Sequence, residues 1–328
     1  MDSSAQPLSP EPERAVARAS GARRKPRQGK GRDAGDNALM FQPLPRWVNA
    51  GDHRVAGSSS RSKTAVGGIT GHDAISAGAA LFALDQIIRA EPPFLGAWRM
   101  RIALQAAVSA SRLLRARADE AELRDTLHLT RDGDEPGPAG RAHLLLRRLA
   151  HNPVRLALAQ LEALGALSKG DGVAELLALL REDIALAEWL GWHRPLPLHL
   201  MAAYDPAIRG DAEGRRIRVG APGWEQIRHA VAARAAIAAH QMAVTLAGRA
   251  EKLIAAAETL RTRDGEAGLA LILGDDCVAP WRMAGGEARA ASTGMGSDRA
   301  ARRFCESLHA KGALRLLTPR PTFRLYGL

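Results

Sequence analysis

Aromatic residues make up only 4% of this 328-residue chain, and it holds two cysteines and six lysines. Each scarcity excludes something. Cys277 and Cys305 are too few for a four-thiolate zinc site or a secreted disulfide scaffold, so a reducing, cytoplasmic setting is expected. No uninterrupted apolar run approaches the roughly 20 residues that span a bilayer. The N-terminal stretch has Arg and Ser but lacks the apolar centre of a secretory signal, so neither a membrane nor export is expected. There is no Walker-type loop, no Gly-x-Gly-x-x-Gly and no His-Glu-x-x-His; Gly294-Met295-Gly296 is a lone pair of glycines. His193 and His199, like His229 and His240, lack the i, i+4 spacing of metal ligands. Ser58-Ser59-Ser60 lies in a polar stretch, not in a nucleophile elbow. No cofactor, metal ligand or catalytic residue is therefore assigned, and the chain leans away from being an enzyme.

What the chain has is alanine and leucine. Hydrophobic residues reach 46%, enough for a sizeable core, and the two dominant types are strong helix formers. Ile75, Leu81, Leu84 and Ile88 predict a helix from about Asp73, ended by Pro92-Pro93. Ile102, Leu104, Val108 and Leu113 predict a second over about 97–117, and a third covers about 119–129. The run Arg131 to Pro138 is a loop by its breaker content. Helices recur at about 139–150, 154–168, 172–190, 196–204 and 224–261, the last with Gly248 as a point of bending or division. No alternating strand pattern precedes residue 313. The fold class is thus mainly α, a helical array.

Net charge is +11, and it is unevenly placed. Residues 1–65 carry 12 basic against 6 acidic residues, 66–281 carry 25 against 26, and 282–328 carry 9 against 3. Basic ends around a near-neutral middle suggest an acidic polymer or surface as partner. The first 65 residues, with the run Arg23 to Arg32, read as a disordered basic tail; 66–262 as an all-helical domain; 263–328 as a separate C-terminal domain.

In that last segment Ser297 stands where a helix N-cap should stand and Gly312 where a helix should end. Ala301, Phe304, Cys305 and Leu308 share one face of the intervening helix, and Arg299, Arg302 and Arg303 lie elsewhere. Ala313–Leu317 and Thr322–Tyr326 flank the turn Thr318-Pro319-Arg320-Pro321 and predict a hairpin. A helix followed directly by a hairpin is how a winged helix ends. Its helix would enter a major groove, and Lys311, Arg320 and Arg324 would meet phosphates.

Several segments carry a resemblance: Ala77-Gly78-Ala79-Ala80-Leu81, Gly96 to Leu104, Gly133 to Gly140, Leu190-Gly191-Trp192, Asp275-Asp276-Cys277-Val278 and Thr322 to Leu328. Together they resemble, over about residues 72–328, a family called domain of unknown function 1403, met in proteobacteria and notably in rhizobia. That resemblance implies no activity. More narrowly, Leu308, Gly312, Ala313-Leu314-Arg315, Thr318, Arg320, Phe323-Arg324 and Tyr326 resemble the winged-helix C-terminus of Fic-type proteins, with Pro319 where such wings usually carry Gly. The Fic catalytic loop is absent, so no nucleotidyl transfer is implied.

Other constellations have plain structural readings. Asp132, Asp134 and Glu135 read as an Asx-type turn, since the EF-hand pattern is missing. Asp275-Asp276 reads as an exposed pair at a helix end. Both cysteines read as small buried hydrophobes. Asp85 with Arg99 and Arg101 reads as a structural ion pair between neighbouring helices, or as a site if a pocket gathers them. Trp98, Trp189 and Trp192 read as core or capping residues, and exposure of the last two would mark a partner surface. The expected function is nucleic-acid binding, to DNA or RNA, through Arg299, Arg302, Arg303, Lys311, Arg320 and Arg324. The alternative is a helical protein-interaction module with no nucleic-acid role.

Overall fold

The computed structural model describes residues 41–45, 48, 71–131, 133–167, 170–205, 215–260, 265–284, 295–318, 320 and 323–328. The expected basic tail therefore lies almost wholly outside the described residues, as do Asp132 and most of the turn at 319–322. The fold is mainly α. In chain order the described helices are α1 (Gly71–Ala90), α2 (Leu95–Leu113), α3 (Glu120–Leu129), α4 (Gly137–His151), α5 (Val154–Leu167), α6 (Asp171–Trp189), α7 (Leu198–Ala202), α8 (Trp224–Glu258), α9 (Gly265–Gly274), α10 (Pro280–Ala284) and α11 (Asp298–Ala310). Two short strands, β1 (Arg315–Leu316) and β2 (Tyr326–Gly327), follow.

Helix α2 is the axis of the body. Ala97, Trp98, Met100, Ile102, Ala103, Leu104, Ala106, Ala107 and Ala110 are all buried, so it is covered on nearly every side, with a narrow stripe at Arg101, Gln105 and Arg112 left half-buried or exposed. It packs on α4 and α7, while α8 lies along α1 and also meets α7. Alanine on both sides lets helices approach closely, and the indole of Trp98 fills the space that remains. Its Nε1 donates to the Ala239 carbonyl of α8 at 2.8 Å. Gly96 sits against the backbone of Gly274, where a Cβ would come within 2.7 Å of the carbonyl oxygen, so α2 and α9 touch main chain to main chain.

Local signals set the helix ends. Asp119 and Glu122 form a reciprocal capping box on α3. Asp183, from α6, accepts from the amide of His199 at 2.7 Å and so caps the first turn of α7 from another helix. Helix α8 runs through Gly248 without a break, so the expected division there does not occur. By length and composition its stretch Ile227–Glu258 could cross a bilayer, but 56% of the qualifying window is buried within the fold. That burial matches an Ala-rich core helix.

The C-terminal corner is small and tight. Ser297 caps α11 by accepting from the Ala300 amide at 3.1 Å. Gly312, at φ 68°, ends the same helix, and the Ala313 amide bonds back to the Leu308 carbonyl at 2.9 Å. Strands β1 and β2 pair antiparallel with Arg315 opposite Gly327 and Leu316 opposite Tyr326. They are shorter than the sequence suggests, because Thr318 takes over the next step: its hydroxyl donates to the Phe323 carbonyl and accepts from the Leu325 amide. Tyr326 also forms an antiparallel bridge with Val278, which lies between α9 and α10. Val278 therefore adds a third strand position that no sequence alternation announced.

Candidate functional site

Amphipathicity fixes which way α11 faces. Ala301, Phe304, Cys305 and Leu308 are buried, and Phe304 and Leu308 join the main core. The three-four spacing of these residues turns Arg299, Arg302, Arg303 and Glu306 outward, and all four are exposed. Lys311, Arg315, Arg320 and Arg324 are exposed beside them. Residues 295–328 hold seven basic and two acidic side chains, so the face is positive.

The partners of these cations differ. Arg302 pairs with Asp298 at 2.9 Å and Arg324 with Glu306 at 3.1 Å. Arg320 reaches back to Asp125 of α3 at 2.8 Å. Arg299, Arg303, Lys311 and Arg315 have no carboxylate partner among the described residues. All six residues singled out in the sequence are thus exposed, but three of them already hold a carboxylate.

A buried charged junction lies where the segment after α9 meets the helical body. Asp276 is only 3% exposed and follows the end of α9. Its carboxylate accepts from Arg124 Nε at 2.6 Å and Arg124 Nη2 at 3.2 Å, and from Arg101 Nε. Next to it, Asp275 takes both Nη groups of Arg147, at 2.8 and 2.7 Å. Burial alone would raise the Asp276 pKa, but the bonds from Arg124 and the charge of Arg101 outweigh it and hold the carboxyl below the ordinary value. For Arg124 and Arg147 burial opposes the charged form, yet the aspartates keep both firmly protonated. Helices α2, α3 and α4 each contribute one arginine, and all three grip the strand-like segment after α9.

Cys277 continues the junction. Its Sγ lies 3.3 Å from His128 Nε2 in a buried setting. A thiol beside an imidazole suggests a nucleophile, but the electrostatics run the other way. Burial and then the charge of Asp276 push the thiol well above its usual value. Burial, helped by Arg282, lowers His128 to about 4. Both groups are neutral at pH 7, and the contact is a packing one. Burial likewise lifts Cys305 to about 12. Among the described residues no three His, Cys, Asp or Glu side chains converge as metal ligands would.

Several sequence readings are corrected here. Asp275-Asp276 is not an exposed pair: Asp276 is buried and Asp275 half-buried, because arginines from three helices surround them. Asp85, Arg99 and Arg101 do not meet. Asp85 pairs with Arg89 at 2.6 Å and accepts from the Trp192 indole at 3.0 Å, Arg101 goes to Asp276, and Arg99 stays apart. Arg99 is buried with Nε and Nη1 unbonded, and burial followed by repulsion from Arg194 lowers it to about 10. Trp98 and Trp192 are core, whereas Trp189 is 79% exposed. Arg124, Arg147 and His128 escaped sequence reasoning. Their only signal was an acidic doublet next to apolar segments, which demands compensating cations if it is buried.

Architecture and site together define a mainly helical protein whose C-terminal helix-and-hairpin corner is pinned by an acidic doublet, one member buried and one half-buried, and turns a basic face outward. The chain matches the profile of a family described as Protein of unknown function (DUF1403) over residues 43–176 and 169–328, and it belongs to that family. No curated protein and no solved structure matches it.

Proposed function

We propose that this protein binds nucleic acid through residues 263–328, acting as a winged-helix unit on the helical body of residues 66–262. The order of elements supports this reading. Helix α9, the Val278 bridge, α10, α11, β1 and β2 follow the winged-helix order, in which the strand between the first two helices pairs with the second strand of the hairpin. In that arrangement α11 is the groove-entering helix and 318–324 the wing. The observation that carries the reading is the outward face of Arg299, Arg302 and Arg303, which is exposed and not folded into the body. Arg299 and Arg303 are free to meet phosphate or a base edge. Arg302, Arg320, Arg324 and Lys311 border them, and exposed ion pairs such as Arg302–Asp298 are weak enough for phosphate to replace.

The test is fluorescence anisotropy on short duplex DNA and on RNA over a salt series. Each phosphate contact neutralised by a side chain contributes about −0.9 to the slope of log K against log salt on duplex DNA. The double variant Arg299→Ala/Arg303→Ala should flatten the slope by about 1.8 on the same rule. Absence of binding by the unaltered protein at low salt rejects the reading, and so does a slope that the double variant leaves unchanged.

A second reading, a helical protein-interaction module without nucleic-acid binding, draws on Trp189, an indole 79% exposed at the end of α6. Large aromatic side chains left in water are costly and are typical anchors of interfaces. Crosslinking from position 189 in cells separates the two. Capture of one defined protein, lost in Trp189→Ser, supports the module; capture that is indifferent to this change refutes it.

A further inference from the structure

Away from the C-terminal corner, an open groove of about 560 Å³ runs between the α1–α2 corner and helix α8. Its size falls in the range of small-molecule sites, roughly 300–1,000 Å³. Three features of the groove bear on what it can hold.

The first is Gly248. It sits in the interior of α8, where glycine costs about 0.5–1 kcal/mol relative to alanine. A Cβ added there would meet nothing within 4 Å, so no neighbouring element requires the glycine. What the missing side chain leaves is depth, because Gly248 lines the groove. The second is Glu91, which holds a left-handed φ of 47°. It closes α1, whose last residue is Ala90, in the left-handed conformation that commonly ends a helix. It places a carboxylate at the groove while the chain turns into Pro92-Pro93. The third is the pairing of charge and aromaticity. Glu91 and Glu251 line the groove together with Phe41 and Phe94, and no Lys or Arg lines it among the described residues. The two rings pack in a tilted pair with centroids 5.4 Å apart. Neither glutamate forms an ion pair among the described residues, and the buried Arg99 lies within electrostatic reach of Glu91.

From this we infer that the groove binds a small organic cation, an alkylated ammonium with an apolar body. Glu91 and Glu251 attract its charge, the half-buried ring of Phe41 accepts the ammonium through cation–π contact with the buried Phe94 ring behind it, and the floor at Gly248 and Ile254 takes the apolar portion. The preference for a cation over an anion follows from the two carboxylates, which are the charged side chains of the groove's described lining. This site is independent of the nucleic-acid reading and stands or falls separately.

Calorimetric titration of the full chain with choline, and with its uncharged carbon isostere dimethylbutanol, tests the inference. Choline should bind and the isostere should bind at least about tenfold more weakly, because it lacks the charge. Glu91→Gln/Glu251→Gln should weaken choline by a similar factor. Gly248→Leu should raise the melting temperature by improving the helix and at the same time abolish choline binding by filling the floor. Equal binding of choline and isostere, absence of any choline binding at millimolar concentration, or undiminished binding in Gly248→Leu would each overturn it. The gain in melting temperature shows that a negative result with Gly248→Leu is not a folding failure.

Discussion

Asp276 and Arg124 meet across 152 residues of chain, with Arg124 Nε 2.6 Å from one carboxylate oxygen and Nη2 3.2 Å from the other. This fork, joined by Arg101, ties the C-terminal corner to the helical body through a desolvated charge cluster. Such a cluster is a weak source of net stability but a strong determinant of which surfaces meet, because a buried charge tolerates no unpaired alternative.

Removal of that charge should therefore be costly. Asp276→Asn leaves Arg101 and Arg124 short of a counter-charge in a buried place and should cost about 3–5 kcal/mol. Asp275→Asn, at a carboxylate 29% exposed to water, should cost on the order of 1 kcal/mol. Urea denaturation reads both values, and equal losses at the two positions would contradict the burial argument.

Two histidines should make the fold acid-sensitive before its carboxylates titrate. Burial lowers both His128 and His143 from 6.5 to about 4, with repulsion from Arg147 adding to it at each. The unfolded chain takes up these protons below about pH 6.5 and the folded one does not, so the stability they permit is intact above that pH. It declines as pH falls toward about 4, at roughly 1.4 kcal/mol per pH unit for each histidine. Replacing His143 by Gln should about halve the slope in that window. A stability profile flat between pH 6.5 and 4 would show that neither imidazole is held neutral.

Both thiols should be inert in the folded protein. Cys277 and Cys305 are buried, and burial raises each above its ordinary value. Alkylation by iodoacetamide at pH 8, followed by mass spectrometry, should label them only after denaturant is added. Rapid labelling of Cys277 in native protein would instead reveal an ionised, reachable sulfur and reopen the question of a nucleophile beside His128.

Two glycines in helices should respond oppositely to alanine. Gly96→Ala drives a methyl to 2.7 Å from the Gly274 carbonyl and Cα and should destabilise by about 1–3 kcal/mol through overpacking. Gly248→Ala meets only open space and should stabilise by about 0.5–1 kcal/mol. Thermal melts of the two variants check this, and a shared direction would mean that helix propensity outweighs the local geometry.

Helix positions were legible because their signals are local. Pro92-Pro93, the Asp119/Glu122 capping box, Ser297 and Gly312 act within a turn of chain, and the three-four spacing of Ala301, Phe304, Cys305 and Leu308 settles which face of α11 goes inward. The basic face opposite was therefore written in the residues themselves. Tertiary structure alone decided that Asp276 finds arginines on two separate helices, that Val278 pairs with Tyr326, and that Trp192 is enclosed while Trp189, three residues earlier, stays in water. Those outcomes depend on how helices cross and which surfaces they bring together. A short window of sequence fixes what a segment will bury, but not the distant group it will be buried against.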